Sequence, residues 1–183
     1  MHTLQNNGDA LRRGTLVYLD ALSKALIGEI ADTPFSEAAL QRLNHGKYVF
    51  PVTAQDYLQA FKADGDVVFA LHLQDDKHCI GAVRLRKLHW HTRYTTLEMG
   101  IIDDEFFTVA ILRDVIQIMV RFAFLEVNLN RVAVHCVAGD IVLDEALQAE
   151  NFTDEGRFRQ DVYRNGRYLD TTLYSILKRE WTT

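Results

Sequence analysis

The chain has 183 residues, 48% of them hydrophobic and 25% charged, which fits one globular domain with a buried core rather than a disordered or fibrous chain. Its formal net charge is -5 and no Lys/Arg run exceeds two residues, so the clustered cations of a general nucleic-acid grip are missing. Cys79 and Cys136 have no metal-ligand spacing and form no disulfide framework. With no secretory leader and no membrane-length apolar run in sight, a soluble cytoplasmic protein with no metal and no membrane partner is expected.

Residues 1–12 are polar and Asn-rich and read as a frayed lead-in; residues 13–183 read as one domain without repeats or linkers. A short strand is expected at 15–19. Helices are expected at 21–30, at 35–43 with Pro34 in the first turn, and from Thr53 to about residue 63. Residues 67–73 are β-branched and apolar, residues 79–86 alternate in polarity, and the polar turn between them predicts a β-hairpin. After a bulky loop at 90–94, a third antiparallel strand is expected at 95–102. Residues 108–127 are apolar on nearly every side, broken chiefly by Arg113, Asp114, Gln117, Arg121 and Glu126. That pattern predicts a helix lying on a sheet with one narrow wet stripe. A strand at 131–137 follows, then a helix at 141–149 capped by Asp140. Strands at 157–163 and 168–177 close the chain around Asn165-Gly166, a strong hairpin signal. The pattern is α+β. Both cysteines read as small core residues in strands.

Several of these segments occur in a telling order: IGAVRL at 80–85, LEMGI at 97–101, RFAFLEVNLNRV at 121–132, FTDEGRFR at 152–159, GRYLD at 166–170 and YSILKREW at 174–181. From about residue 67 to 181 this order and spacing resembles the GNAT acyltransferases, in particular the branch that acetylates protein N-termini and related amines. The resemblance implies a mixed central sheet of about seven strands flanked by helices. Two parallel strands, 95–102 and 131–137, would splay apart to hold acetyl-coenzyme A as acyl donor. Its pantetheine arm would run along Gly100, Ile101, Ile102 and Asp103. Its pyrophosphate would sit on backbone N–H groups at Thr108, Val109, Ala110, Ile111 and Leu112, where a helix start offers unpaired donors and a positive dipole end. Asp140 stands where the family has an Asn that contacts the donor.

The chain also departs from the family. Its phosphate loop ordinarily reads basic-x-x-Gly-x-Gly/Ala, whereas Thr108-Val109-Ala110-Ile111-Leu112 has neither glycine nor cation, and Asp103, Asp104 and Glu105 add acids nearby. Leu147 replaces the usual tyrosine acid, and Asn151 replaces a glycine before Phe152.

For chemistry, Glu98 is the candidate base or water-holding carboxylate, weighed evenly against a solvent-facing strand Glu. Tyr163 is the candidate proton donor, with Tyr168 and Tyr174 beside it as packing residues or donors. His91, Arg93 and Tyr94, with His89, sit on the loop where an amine would enter. His135 reads as a core histidine, and Arg113 and Arg121 as a solvated face. The expected activity is direct acetyl transfer to a primary amine on a small molecule or a peptide. Two rivals remain open: a catalytically impaired fold kept for binding or regulation, and a relative using a longer acyl carrier between Phe106 and Phe107. The apolar last strand and Trp181 would also suit a homodimer.

Overall fold

The computed structural model describes residues 12–23, 67–75, 77–164 and 166–181. The helices expected at 35–43 and 53–63, most of that at 21–30, and nearly all of the lead-in lie outside these residues. The described elements are β1 (Val17–Ala21), β2 (Val67–Leu73), β3 (Cys79–His89), β4 (Tyr94–Ile101), a 3-10 turn (Asp104–Phe106), α1 (Val109–Leu125), β5 (Arg131–Val137), α2 (Ile141–Ala149), β6 (Thr153–Arg164) and β7 (Arg167–Leu177). The seven strands form one sheet in the order β1-β2-β3-β4-β5-β7-β6. β4 and β5 are parallel and every other pair is antiparallel. The mixed seven-stranded sheet agrees with the expected fold.

Strand alternation sorts the side chains onto two faces. Val83, Leu85, Leu97, Val132, Val134, Tyr174 and Ile176 point to one face. There they join Ile111, Leu112, Val115, Met119, Leu143 and Leu147 in a single core cluster. Both helices therefore lie on that face. α1 begins on Thr108, whose hydroxyl accepts from the Ile111 N–H at 3.3 Å, and α2 on Asp140, whose carboxylate accepts from the Leu143 N–H at 3.2 Å. Each cap satisfies one of the donors a helix start leaves open. α2 ends with Asn151 at φ 59°, in the left-handed region that Asn tolerates better than most residues. Asn151 thus serves as the left-handed residue that closes the helix.

The expected wet stripe of α1 is present, with Arg113 and Gln117 exposed and Arg121 half-buried. Asp114 is buried, and its carboxylate accepts three backbone N–H bonds from Thr15, Leu16 and Val17 at 2.9, 2.7 and 2.9 Å. A Cβ on Gly14 would run into that carboxylate. Arg113 Nε donates to Glu150 at 2.7 Å, Gln117 donates to the same carboxylate, and Arg121 donates to the Arg13 carbonyl at 2.7 Å. The stripe ties α1 to α2 and to the start of β1 instead of facing only water. No helix among the described residues is long and apolar enough to cross a membrane.

Candidate active site

β4 and β5 are paired for only part of their length. The register runs Tyr94 with Arg131, Thr95 with Val132 and Thr96 with Ala133, and pairing stops there although both strands continue. Beyond Thr96 and Ala133 the strands part. A cavity of about 200 Å³ lies in the gap, with Leu97, Met99, Phe107, Leu112, Val134 and Leu143 among its walls. Arg86, Glu98, His135, Asp161 and Thr171 line it as well. By strand alternation, Glu98 and His135 sit on the face opposite α1 and α2, while Leu97 and Val134 sit on the helix face. The opening therefore passes through the sheet.

Two of the backbone positions expected along the donor are turned away. Ile102 N–H donates to Ile80 O at 2.9 Å, so Ile102 and, two residues back, Gly100 direct their polar groups toward β3. A Cβ on Gly81 would collide with the Gly100 carbonyl, which shows how closely β3 approaches there. Met99 and Ile101 turn their N–H and C=O groups toward the gap. Asp103 lies past the end of β4, capping the 3-10 turn by accepting from the Glu105 N–H at 3.0 Å. Met99 was not anticipated. The parity of β4 becomes readable only once its pairing with β3 is known.

The helix end of the opening is similarly narrowed. The Ile111 N–H is taken by the Thr108 hydroxyl, and the Leu112 N–H donates to Thr108 O at 2.9 Å. Thr108 N–H itself donates to Phe106 O at 2.9 Å. Val109 and Ala110 keep N–H groups without an intrahelical acceptor. Leu112 is fully buried and serves as wall rather than as donor. Asp103, Asp104 and Glu105 are exposed just before this point. Asp140 lines the cavity from the first turn of α2, with its carboxylate engaged in the cap.

Coenzyme A is an extended ligand with an amide-bearing arm at one end and phosphates at the other. The open backbone edge at Met99 and Ile101 fits an amide-bearing arm. The phosphate end offers the two N–H groups at the start of α1, with acids rather than cations close by. The arm fits well, and the phosphate end offers a sparer set of donors than glycines and a cation would supply.

Glu98 is held firmly. Arg84 Nε donates to its Oε2 at 2.7 Å and Arg84 Nη2 approaches the same oxygen at 2.5 Å, while Arg86 Nη1 donates to Oε1 at 2.8 Å. Burial alone would raise this carboxyl, but the two guanidinium groups outweigh it and hold its pKa below the ordinary value. The reading as a solvent-facing strand Glu does not hold: its side chain is 11% exposed. His135 is corrected too. It is half-buried and lines the cavity, its ring 5.9 Å from Phe158.

Tyr163 does not reach this cavity. It is 54% exposed near the β6–β7 turn and packs edge-on against Tyr168 at 5.0 Å. Tyr174 lies on the helix face, where its hydroxyl donates to Asp144 at 2.5 Å. That bond, followed by burial, pushes its pKa up to about 12. Leu147 is fully buried. His91 and Arg93 lie in the turn before β4, Tyr94 opens that strand at its paired end, and none of the three is among the residues lining the gap. The Arg93 carbonyl accepts from the Asn130 and Arg131 N–H groups and so ties down the start of β5, and the Tyr94 hydroxyl meets the Thr96 hydroxyl at 3.2 Å.

One cavity residue escaped the sequence because of a bulge. The β6–β7 register passes from Phe158 with Thr171 to Val162 with Leu169, so residues 159–161 stand opposite Asp170 alone. Gln160 takes φ 55°, and its N–H donates to Asp170 Oδ1 at 2.9 Å. Bulges re-aim side chains, and Asp161 here faces the opening, accepting from the Thr171 hydroxyl at 2.5 Å. Among the described residues, no group of three His, Cys, Asp or Glu could hold a metal ion. Cys136 is buried, and burial pushes its thiol up to about 12.

No family model matches the chain. YdaF of Bacillus subtilis (strain 168), named as a ribosomal N-acetyltransferase, is 32% identical over 153 residues, covering 77% of this chain and 81% of that protein. The chain belongs to the GNAT N-acetyltransferases. YoaA of the same organism, named as an N-acetyltransferase, is 25% identical over 124 residues, covering 68% of this chain and 70% of its own length. A spermidine N-acetyltransferase from Vibrio cholerae, solved with CoA and spermine, shares the fold at a TM-score of 0.74. Its sequence identity is 18%, and the match covers 90% of this chain and 97% of that one. As a member of this family the protein is an N-acetyltransferase.

Proposed function

We propose that the opening carries acetyl transfer from acetyl-coenzyme A to a primary amine on a small molecule or a peptide. The observation that supports this most is the parting of β4 and β5 after three paired residues, leaving a passage between the two faces of the sheet. When bound, the thioester supplies an acyl carbon open to attack by a neutral amine. Met99 and Ile101 receive the amides of the arm along the β4 edge. Val109 and Ala110 meet the phosphates with the positive end of α1 behind them. The exposed acids before Thr108 oppose that grip, so affinity should improve as salt screens them. On the far face, Asp161 favours an acceptor that arrives as an ammonium ion.

The two named acceptor types among the relatives differ. YdaF is named for the ribosome, whereas the Vibrio cholerae enzyme was solved with spermine. The test therefore uses both a Ser-Ala-Gly-Lys tetrapeptide and spermine as probes. Acetyl-coenzyme A should raise the Tm, since a ligand at about 100 times its Kd adds about 2.7 kcal/mol, and one probe should release free thiol. No thermal shift at millimolar donor would sink the reading.

A second reading rests on Leu147 and on the glycine-free start of α1: a fold that binds the coenzyme without turnover. A thermal shift with no thiol released by any amine would favour it.

A further inference from the structure

We propose that His135 takes the proton from the acceptor amine, and that Glu98 serves to hold Arg84 and Arg86 in place rather than to act as the base. This rests on the acetyltransferase reading of the opening and deepens it. The register sets the two residues in equivalent places. Thr96 pairs with Ala133, and two residues further along each strand stand Glu98 and His135, on the same sheet face and on opposite rims of the gap. They are the first side chains on that face to look across the opening after the strands part.

Their surroundings separate their roles. Both Glu98 oxygens already accept from guanidinium N–H groups, and a carboxylate stabilised in its charged form is a weak proton acceptor. Among the described residues the His135 side chain has no hydrogen-bond partner, and its ring lies 5.9 Å from that of Phe158, so its nitrogens face the cavity it lines. The other charged groups facing the opening are Arg86 beside Glu98, Asp161 from β6 and Asp140 from α2. Arg86 cannot accept a proton, Asp140 is engaged in its cap, and Asp161 is exposed and held by Thr171.

In the step served, an acceptor that arrived as an ammonium ion first gives one proton to water, and the freed amine lone pair forms the C–N bond to the acyl carbon. The C–S bond breaks, and sulfur leaves with its electron pair. The surplus proton on nitrogen passes to the His135 imidazole, which returns it to the sulfur or to water. No further reactant is needed.

The test compares His135→Gln with Glu98→Gln, using spermine and the tetrapeptide as acceptors. His135→Gln should lower kcat about 100-fold and abolish the acidic limb of the pH profile, with acetyl-coenzyme A affinity by calorimetry within about twofold of wild type. Added imidazole should restore part of the turnover in His135→Ala. Glu98→Gln should cost less than His135→Gln. A His135→Gln enzyme with wild-type kcat and pH profile overturns the proposal, as does a larger loss in Glu98→Gln.

A binding readout keeps the two levels apart. The His135 C2–H resonance, assigned by its loss in the variant, should shift when acetyl-coenzyme A saturates the protein. If the donor binds and that resonance does not move, His135 is excluded even when neither probe reacts. If the donor does not bind at all, the acetyltransferase reading of this opening fails first and takes the proposal with it.

Discussion

The two sides of the opening are built from different materials. On the helix side, Leu112, Val134 and Leu143 form an apolar wall, and the nearby Asp140 carboxylate is occupied by an N–H of α2. On the other side stand Arg86, Glu98, His135, Asp161 and Thr171. Backbone and apolar surface suffice where a long carrier need only be laid down in register. Charged and titratable side chains gather on the side to which the proposed transfer assigns the bond changes. The same sheet supplies both, because adjacent residues of one strand point to opposite faces: Leu97 and Glu98 on β4, Val134 and His135 on β5.

The largest effect should come from breaking the apolar side. Leu112 is fully buried against the core and also walls the cavity. Leu112→Ala should cost about 2 to 5 kcal/mol, through lost burial and the void left behind. In thermal melts that is a drop on the order of 10 °C for a chain of this size. The KM for the acceptor should stay near wild type in the folded fraction. A stable variant with a much raised acceptor KM would blur the division between the sides.

On the polar side the next effect is electrostatic. Glu98→Ala removes the carboxylate that Arg84 and Arg86, with side chains 12% and 25% exposed, both pair with. Breaking such a pair costs about 3 kcal/mol. The pH dependence has a definite sign. The folded-state pKa of Glu98 is lowered from its ordinary 4.5, so the folded state holds its proton less tightly than the unfolded one. The stabilisation is present above that ordinary value and fades as pH falls through the lowered one. Denaturant melts from pH 7 down to pH 3 should show wild type losing stability faster than Glu98→Gln. Parallel curves would mean that the arginines contribute nothing net.

How much of this was readable beforehand differs between frame and site. The alternation of 79–86, the uninterrupted apolar run after Thr108, Asp140 as a cap and the closing pair of strands are local signals, and each is realised in the structure. Asp114 was hidden because its partners are backbone N–H groups far away in sequence, at Thr15 to Val17, which have no residue signature. His135 looked like a core residue because its place depends on where β4 and β5 separate, a property of the pair and not of either strand. Asp161 was missed for a related reason. The extra residues at 159–161 shift the face of every side chain around them, and a single strand's pattern does not reveal that. Tyr163, two residues on, was carried away from the opening into the hairpin tip.

Asp161 gives the smallest and most selective test. It is exposed and bound to a neutral hydroxyl, and no ion pair holds it among the described residues. Its effect on an incoming ammonium must therefore be modest and screened by salt. Asp161→Asn keeps the shape and a partner for the Thr171 hydroxyl while removing the charge. The expected outcome is an acceptor KM raised about three- to tenfold for spermine at low ionic strength, which is up to about 1.4 kcal/mol. The effect should shrink toward unity at 0.5 M salt, while kcat and donor affinity stay close to wild type. A monoamine should feel the change less than spermine, because it brings one positive charge to the same carboxylate. Should both acceptors lose equally in kcat, Asp161 would be supporting the bulge at Gln160 rather than reading the charge of the acceptor.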